Sequence, residues 1–327
     1  MTVANDHTGS LRGHRALVTG GAGVIAGELL ARLSEAGADV LSIDRLPLAT
    51  PPPDVRHIEG DLALIDLAPV RAFRPQTIFH LAATFERSVE TPEFWGENWN
   101  DNVVVSHRLT DLVADMGGLE TYVFASSYLL YDAAQYLRTT PLGEPTSVAE
   151  DARLRPRNLC GAAKLYAEWE IDFSRQVQHA AFRAVHARIY RVYGRGSRDV
   201  VSRWVRAALG GEAIEVYHPE NRFDYVFAGD VAEGLLRMAT TPAAAGPLNL
   251  ATGQARSIHE VMAAIEAATG VRLDATIQSA DEPFEASQAD VARLRSTLGW
   301  SPQTRLEDGV AKLVAYERAR RVAVAAR

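Results

Sequence analysis

Short apolar runs alternate along this chain with stretches in which apolar residues recur every three or four positions. Those are the marks of buried strands and of helices packed on them. Residues 16–18 form the first run, and Leu29, Leu30 and Leu33 follow at helical spacing. The pattern predicts further strands over 39–43, 55–58, 77–83, 121–125 and 185–190. Long helices are predicted over 92–116, ended by Gly117-Gly118, and over 158–178. Between them, 137–155 reads as a loop bearing proline and glutamate. Beyond 190 the alternation becomes irregular: a helix over 200–209, a strand pair within 213–225, a helix over 230–238, a short strand at 248–250, and a helix over 257–268. The segment 294–302 and a terminal helix running to Arg327 close the chain. Strands separated by helices imply an α/β fold, a Rossmann-type doubly wound parallel sheet, with a smaller, interleaved C-terminal substrate-binding region.

Where strand 16–18 ends, glycines cluster. Gly21-x-Gly23-x-x-Ala26 and the wider Gly20-x-x-Gly23-x-x-Ala26 both match a dinucleotide fingerprint, in which glycines allow a tight turn and the next helix offers free N–H groups to a pyrophosphate. Val24 and Ile25 open that helix. The second strand ends in Asp44, 21 residues beyond Gly23, where an acid grips the ribose hydroxyls. Asp61, after the third strand, either meets the adenine amino group or caps the next helix, with Leu62 beside it. Leu81, Ala82 and Ala83 end the fourth strand in side chains small enough for a cofactor to lie against. Ser126-Ser127 end the fifth, at the carboxyl edge where open parallel sheets bind ligands.

The chain has 327 residues, 47% of them hydrophobic, and a net charge of −7 without a basic run, which argues against nucleic acid as a partner. No apolar stretch reaches the roughly 20 residues that span a bilayer. One cysteine, Cys160, excludes an internal disulfide and fits a cytoplasmic protein. Nine histidines lie scattered without metal-ligand spacing, so no metal is expected, and no Gly-x-Ser-x-Gly elbow surrounds Ser126 or Ser127. His80 reads as structural. The segments divide into a disordered lead-in (1–10), a nucleotide-binding domain (11–190, rejoined by 224–250), a substrate region (191–223 and 251–315) and a terminal helix end (316–327).

Taken together, Thr19-Gly20-Gly21-Ala22-Gly23, Asp44, Gly60-Asp61, His80-Leu81-Ala82-Ala83, Asn102-Val103 and Ser126-Ser127-x-x-x-Tyr131 resemble the extended short-chain dehydrogenase/reductases, the nucleotide-sugar epimerases and dehydratases. So do Arg188-x-x-x-Val192-Tyr193-Gly194, Asp230-Val231, Asn249-Leu250-x-x-Gly253 and Leu298-Gly299-Trp300-x-Pro302. The resemblance spans about residues 13–315. It implies bound NAD, a nucleotide-activated sugar as substrate, hydride transfer at a sugar carbon, and a homodimer built from helices 92–116 and 158–178. Epimerisation is the favoured outcome. Ser127 then bonds the substrate oxygen, Lys164 contacts the nicotinamide ribose, and Asn102 and Ser126 belong to the cofactor site. Asp44 favours NAD over NADP; Arg45 beside it is the one residue that argues otherwise.

The sequence departs from the family at informative places. Cys160 stands four residues before Lys164, where the family has its acid/base tyrosine. The thiol, lowered by the ammonium, transfers the proton; or it is a covalent nucleophile; or the position is inert and the chemistry is lost or passed on. Tyr128 is one stand-in, although strand alternation points it away. Tyr128-Leu129 replace the Asp-Glu pair of the 4,6-dehydratases, which argues against that elimination. Arg191 replaces an asparagine and Arg195 a proline; with Arg222 they are either clamps for a diphosphate or another acidic group, or solvated arginines. Phe85 and Arg87 lie in an unusually spaced segment that shapes the substrate site. The competing reading is an NAD-binding protein of this fold without redox turnover, acting as a regulator or assembly partner.

Overall fold

The structure is a computed structural model, and it describes residues 11–85, 90–141, 143–177, 181–278 and 283–325. The lead-in over 1–10 and Arg87 lie outside these residues. In chain order the first half runs β1 (Arg15–Thr19), α1 (Val24–Glu35), β2 (Asp39–Asp44), β3 (Val55–Glu59), α2 (Ala68–Phe73) and β4 (Thr77–His80). It continues with α3 (Pro92–Asn98), a π-helical turn (Trp99–Val104), α4 (Val105–Met116) and β5 (Thr121–Ser127). Then come β6 (Leu137–Arg138), β7 (Thr146–Val148), α5 (Leu159–Val177), β8 (Arg183–Ile189), β9 (Arg191–Tyr193), α6 (Val200–Gly210), β10 (Ile214–Tyr217) and β11 (Arg222–Phe227). The chain ends with α7 (Ala228–Thr240), β12 (Gly246–Leu250), β13 (Ala255–Ser257), α8 (Ile258–Thr269), β14 (Ala275–Gln278), β15 (Phe284–Ala289), α9 (Ala292–Leu298) and α10 (Leu306–Ala325).

Seven parallel strands form the central sheet in the order β12-β8-β5-β4-β1-β2-β3. Apart from β3, these strands are buried along most of their length, polar residues included, because helices cover both faces, and the period-2 alternation of a one-sided sheet is absent. Leu29, Leu30 and Leu33 bury the inner face of α1. The order reverses between β1 and β4, so the glycine turn after β1 and the Leu81-Ala82-Ala83 edge after β4 face each other across a crevice. There the chains touch: a Cβ on Gly20, whose φ is +74°, would lie 2.7 Å from the Ala82 amide nitrogen. Only glycine fits that position.

Three local expectations change. The helix expected over 92–116 is broken by the π turn, which brings the consecutive residues Asp101 and Asn102 both inward. Residues 214–217 and 222–227 are strands but do not pair. β10 pairs with β14, while β9, β13 and β15 take the hydrogen bonds of β11. The loop over 137–155 contributes β6 and β7, and both join β15 in the second sheet. These strands hold two or three residues each, too few to show a period.

Candidate active site

The crevice at the strand-order reversal is a cleft of about 150 Å³ lined by Gly20, Gly23, Asp44, Arg45, Asp61, Leu62, Leu81, Ala82 and Ala83, with Ile43, Gly60, Asp101 and Val105. No side chain caps the first turn of α1, and no acid lies in that turn, so the amides of Val24 and Ile25 are in place for an anion. Asp44 accepts from the Ala22 amide at 3.0 Å and the Leu46 amide at 2.9 Å. A carboxylate has about four lone-pair sites, so it keeps capacity for ribose hydroxyls. Asp61 accepts from the Ala63 amide at 2.8 Å, as a turn cap does, while lining the cleft. Arg45 is bound by Asp101 at 2.6 and 3.3 Å, which commits its guanidinium and removes it as a ready partner for a 2′-phosphate. The residues present fit NAD.

Asp101 is a cleft residue that sequence reasoning missed. It stands directly before the recognised Asn102 in the π turn, where both residues are buried. Asn102 lies behind the wall: its amide bonds both the N–H and C=O of Thr84, at 2.9 and 3.0 Å, and Asn98 at 2.7 Å. It acts on the cleft by fixing the segment 81–85. His80 is fully buried between Thr19 and Ser106, 2.7 and 3.0 Å away, and burial pushes its pKa down to about 3, so it is a neutral structural group.

The other residues of interest lie on β5 and α5, and the N-terminal end of α5 packs on the turn after β5. A Cβ on Gly161 would lie 2.6 Å from the Leu129 carbonyl, so a glycine is what lets the two backbones approach. Ser127 ends β5, and its oxygen accepts from the Leu129 amide at 3.2 Å, leaving the hydroxyl proton to donate. The Lys164 ammonium lies 4.7 Å from the centre of the Phe124 ring, and burial lowers its pKa to about 8. Cys160 is one turn away and points its sulfur at the Thr84 carbonyl, 3.8 Å distant. Here the sequence expectation is corrected: burial outweighs the ammonium and raises the thiol pKa, with Glu90 adding to the rise. Cys160 is a thiol, not a thiolate, at neutral pH. Glu90 also accepts from the Leu159 amide at 2.8 Å, a cap from 69 residues away that no local pattern announces.

Ser126 faces away from the cleft and donates to Glu168 at 2.5 Å. Glu168 also holds Arg188 through two bonds of 3.1 and 2.8 Å, and Arg188 donates to the Tyr131 hydroxyl, which donates to Asn249. This buried network joins α5, β8 and β12 beneath Ser127. Phe85 is exposed, directly after Thr84. Tyr128 lies in the 3-10 turn after β5 rather than in the strand, so alternation no longer directs it, and it is buried beside Arg157 and Arg191. Arg222 is half-buried on β11. Arg195 is turned to the surface, where its Nε donates to Glu28 at 2.8 Å, so it is not gathered with Arg191. Among the described residues no group of three or more His, Cys, Asp or Glu is arranged to hold a metal. No described helix is long and apolar enough to cross a membrane.

Residues 16–251 match the NAD-dependent epimerase/dehydratase family. The UDP-glucose 4-epimerase of Mycolicibacterium smegmatis is 31% identical, over 93% of this chain and 98% of its own length. The dTDP-L-rhamnose 4-epimerase of Burkholderia thailandensis is 26% identical, over 92% and 94%. MoeE5, solved with UDP-glucose and NAD and also with UDP-glucuronic acid and NAD, superposes with a TM-score of 0.81 at 30% identity, covering 94% of this chain and 99% of MoeE5. The chain belongs to the NAD-dependent epimerase/dehydratase family of extended short-chain dehydrogenase/reductases, and it is an enzyme of that family with NAD as cofactor.

Proposed function

We propose that this protein is an NAD-dependent epimerase acting on a nucleotide-activated sugar through an altered Ser127-Cys160-Lys164 site. The observation that carries the reading is Lys164: a buried ammonium with a pKa near 8, one helical turn from Cys160, on the helix that packs against Ser127's turn. When bound, NAD would supply hydride acceptor and donor chemistry for one sugar carbon, held by the α1 amides, Asp44 and Asp61. Ser127 donates its hydroxyl proton to the sugar oxygen and fixes its position. Lys164, partly deprotonated near pH 8, takes the proton of that hydroxyl and gives it back. Cys160 remains a thiol, donates to Thr84 and holds the segment 81–85 against α5. The cleft takes the adenosine and diphosphate of the cofactor against α1, Asp44 and Asp61.

Substituting Cys160 tests this division of labour. Cys160→Ala keeps turnover within about tenfold and keeps its rise near pH 8, and Cys160→Tyr supplies a second acid/base that broadens the pH profile. A loss of about a hundredfold or more in Cys160→Ala, the scale of general acid–base catalysis, assigns the proton to the thiol instead. The second reading, cofactor binding without turnover, is favoured by the missing phenol at position 160. It predicts NAD and a nucleotide sugar bound together with no change in the sugar.

The same helices support a homodimer. Trp95 on α3, Trp99 on the π turn and Tyr166, Trp169 and Phe173 on α5 are large apolar side chains left exposed. Such a patch marks an interface. Light scattering is expected to give twice the 35.6 kDa chain mass, and Trp169→Glu with Phe173→Glu a single chain mass. A monomeric wild type contradicts the dimer.

A further inference from the structure

Beyond Ser127, the chain carries Tyr128 into a buried cluster outside the cofactor cleft. Its ring stacks on Tyr190 with centroids 4.9 Å apart, and its hydroxyl accepts from Arg157 at 3.3 Å. Arg157 donates to Glu285 on β15 at 2.8 Å. Arg191, at the start of β9, lies 3.6 Å from the same Glu285 oxygen and 3.6 Å from the centre of the Phe223 ring. Two guanidinium groups thus face one carboxylate, and the next buried carboxylate, Asp224 on β11, acts on Tyr190 while its oxygens are taken by the amides of Thr252, Gly253 and Ala289. Around them, Arg191 Nε and the hydroxyls of Tyr136, Tyr190 and Tyr225 are buried without a hydrogen-bond partner.

Buried polar groups are ordinarily paired, and an uncompensated buried charge is strongly unfavourable. Orphans gathered in one place next to a reactive serine point to a ligand. Their chemistry says which kind. A guanidinium N–H donates only and each phenol has a proton to give, so the set offers unused donors beside two guanidinium groups. An ionised carboxylate is acceptor-only and planar, and it is attracted by both cations. Tyr128 follows Ser127 directly, and the Arg157 amide donates to the Leu129 carbonyl at 3.3 Å, so the cluster adjoins the turn that carries Ser127.

We propose that the Tyr128–Arg157–Arg191 cluster receives a carboxylate on the sugar, so that the substrate is a nucleotide-linked uronic acid rather than a neutral hexose. This rests on the nucleotide-sugar reading and narrows it. The carboxylate bonds Arg191 Nε and the phenolic hydroxyls, and Glu285 keeps the two guanidinium groups parted and oriented.

The test is calorimetric titration of the NAD-loaded full-length protein with UDP-glucuronic acid, UDP-glucose and UDP, for wild type, Arg191→Gln and Tyr190→Phe. Wild type is expected to bind UDP-glucuronic acid at least about tenfold more tightly than UDP-glucose, the scale of one charge-assisted hydrogen bond. Arg191→Gln brings that ratio close to one. Tyr190→Phe keeps the stacked ring, tests the cluster should the arginine variant fold poorly, and lowers the ratio a few-fold. Equal binding of the two sugars by wild type, or a ratio unmoved in both variants, overturns the inference alone. Equal weakening of all three ligands in Arg191→Gln assigns the cluster to the diphosphate and overturns it too. Failure of every nucleotide to bind overturns the nucleotide-sugar reading, and the inference falls with it.

Discussion

Lys164→Met is expected to lower turnover by about 10²–10⁴-fold, the range that a positioned proton-transfer group contributes. Methionine matches the length of the lysine stem and fills the space over Phe124, so the loss is one of chemistry and not of packing. The pH profile separates the two. Burial lowers the Lys164 pKa to about 8, so wild-type kcat/KM rises through about pH 8 as the amine loses its proton. The residual activity of the variant lacks that limb. Stability gives a second signature. The unfolded chain still holds the proton up to the ordinary lysine value of 10.5, so wild type gains stability as the pH rises from about 8 toward 10.5. Below pH 8 that contribution is absent, and Lys164→Met, with no charge to bury, does not show the gain. A variant with wild-type kcat and an unchanged profile removes Lys164 from the mechanism.

The largest effect on stability is expected from Glu168→Leu. Glu168 and Arg188 are both about 95% buried and hold each other at 2.8 Å, with Ser126 on the same carboxylate. Removing the glutamate leaves the guanidinium as an unpaired buried charge, which costs about 3–5 kcal/mol. Denaturant unfolding reads it directly. Replacing both partners, Glu168→Leu with Arg188→Met, recovers most of the loss, because the pair is valuable chiefly in contrast to half a pair. A single variant within about 1 kcal/mol of wild type contradicts this view of the network. The network lies beneath Ser127, so the single variant also loosens the end of β5.

The central sheet was legible because most of its strands contain short apolar runs and α1 and α5 keep a helical period; Asp44, 21 residues after Gly23, pointed to the cofactor cleft, while the six-residue α2 gave no pattern. The second sheet was not. β6, β7, β9 and β13 have two or three residues each and are made strands by distant partners. Asp101 was hidden because its partner, Arg45, lies 56 residues away and no local pattern marks the pair. Arg188 was recognised as a family mark, but Glu168 reads in sequence as an ordinary solvated helix residue, and only the fold buries it. Strand alternation does not govern Tyr128, since β5 ends one residue earlier. The spacing of Cys160 and Lys164 correctly placed them one turn apart, yet the sign of the thiol's shift depends on burial, which spacing does not report.

The most direct test of the central claim is NMR of the sugar nucleotide itself. NAD-loaded protein is incubated with UDP-glucuronic acid and, separately, with UDP-glucose in deuterated buffer at pH 8. The account expects a second epimer to accumulate to equilibrium from at least one of them, with no net reduced cofactor and with the rate lowered by at least about a hundredfold in Lys164→Met. Nucleotide sugar that binds and remains a single unchanged epimer contradicts it, and leaves a protein that keeps the fold and the cofactor without the turnover.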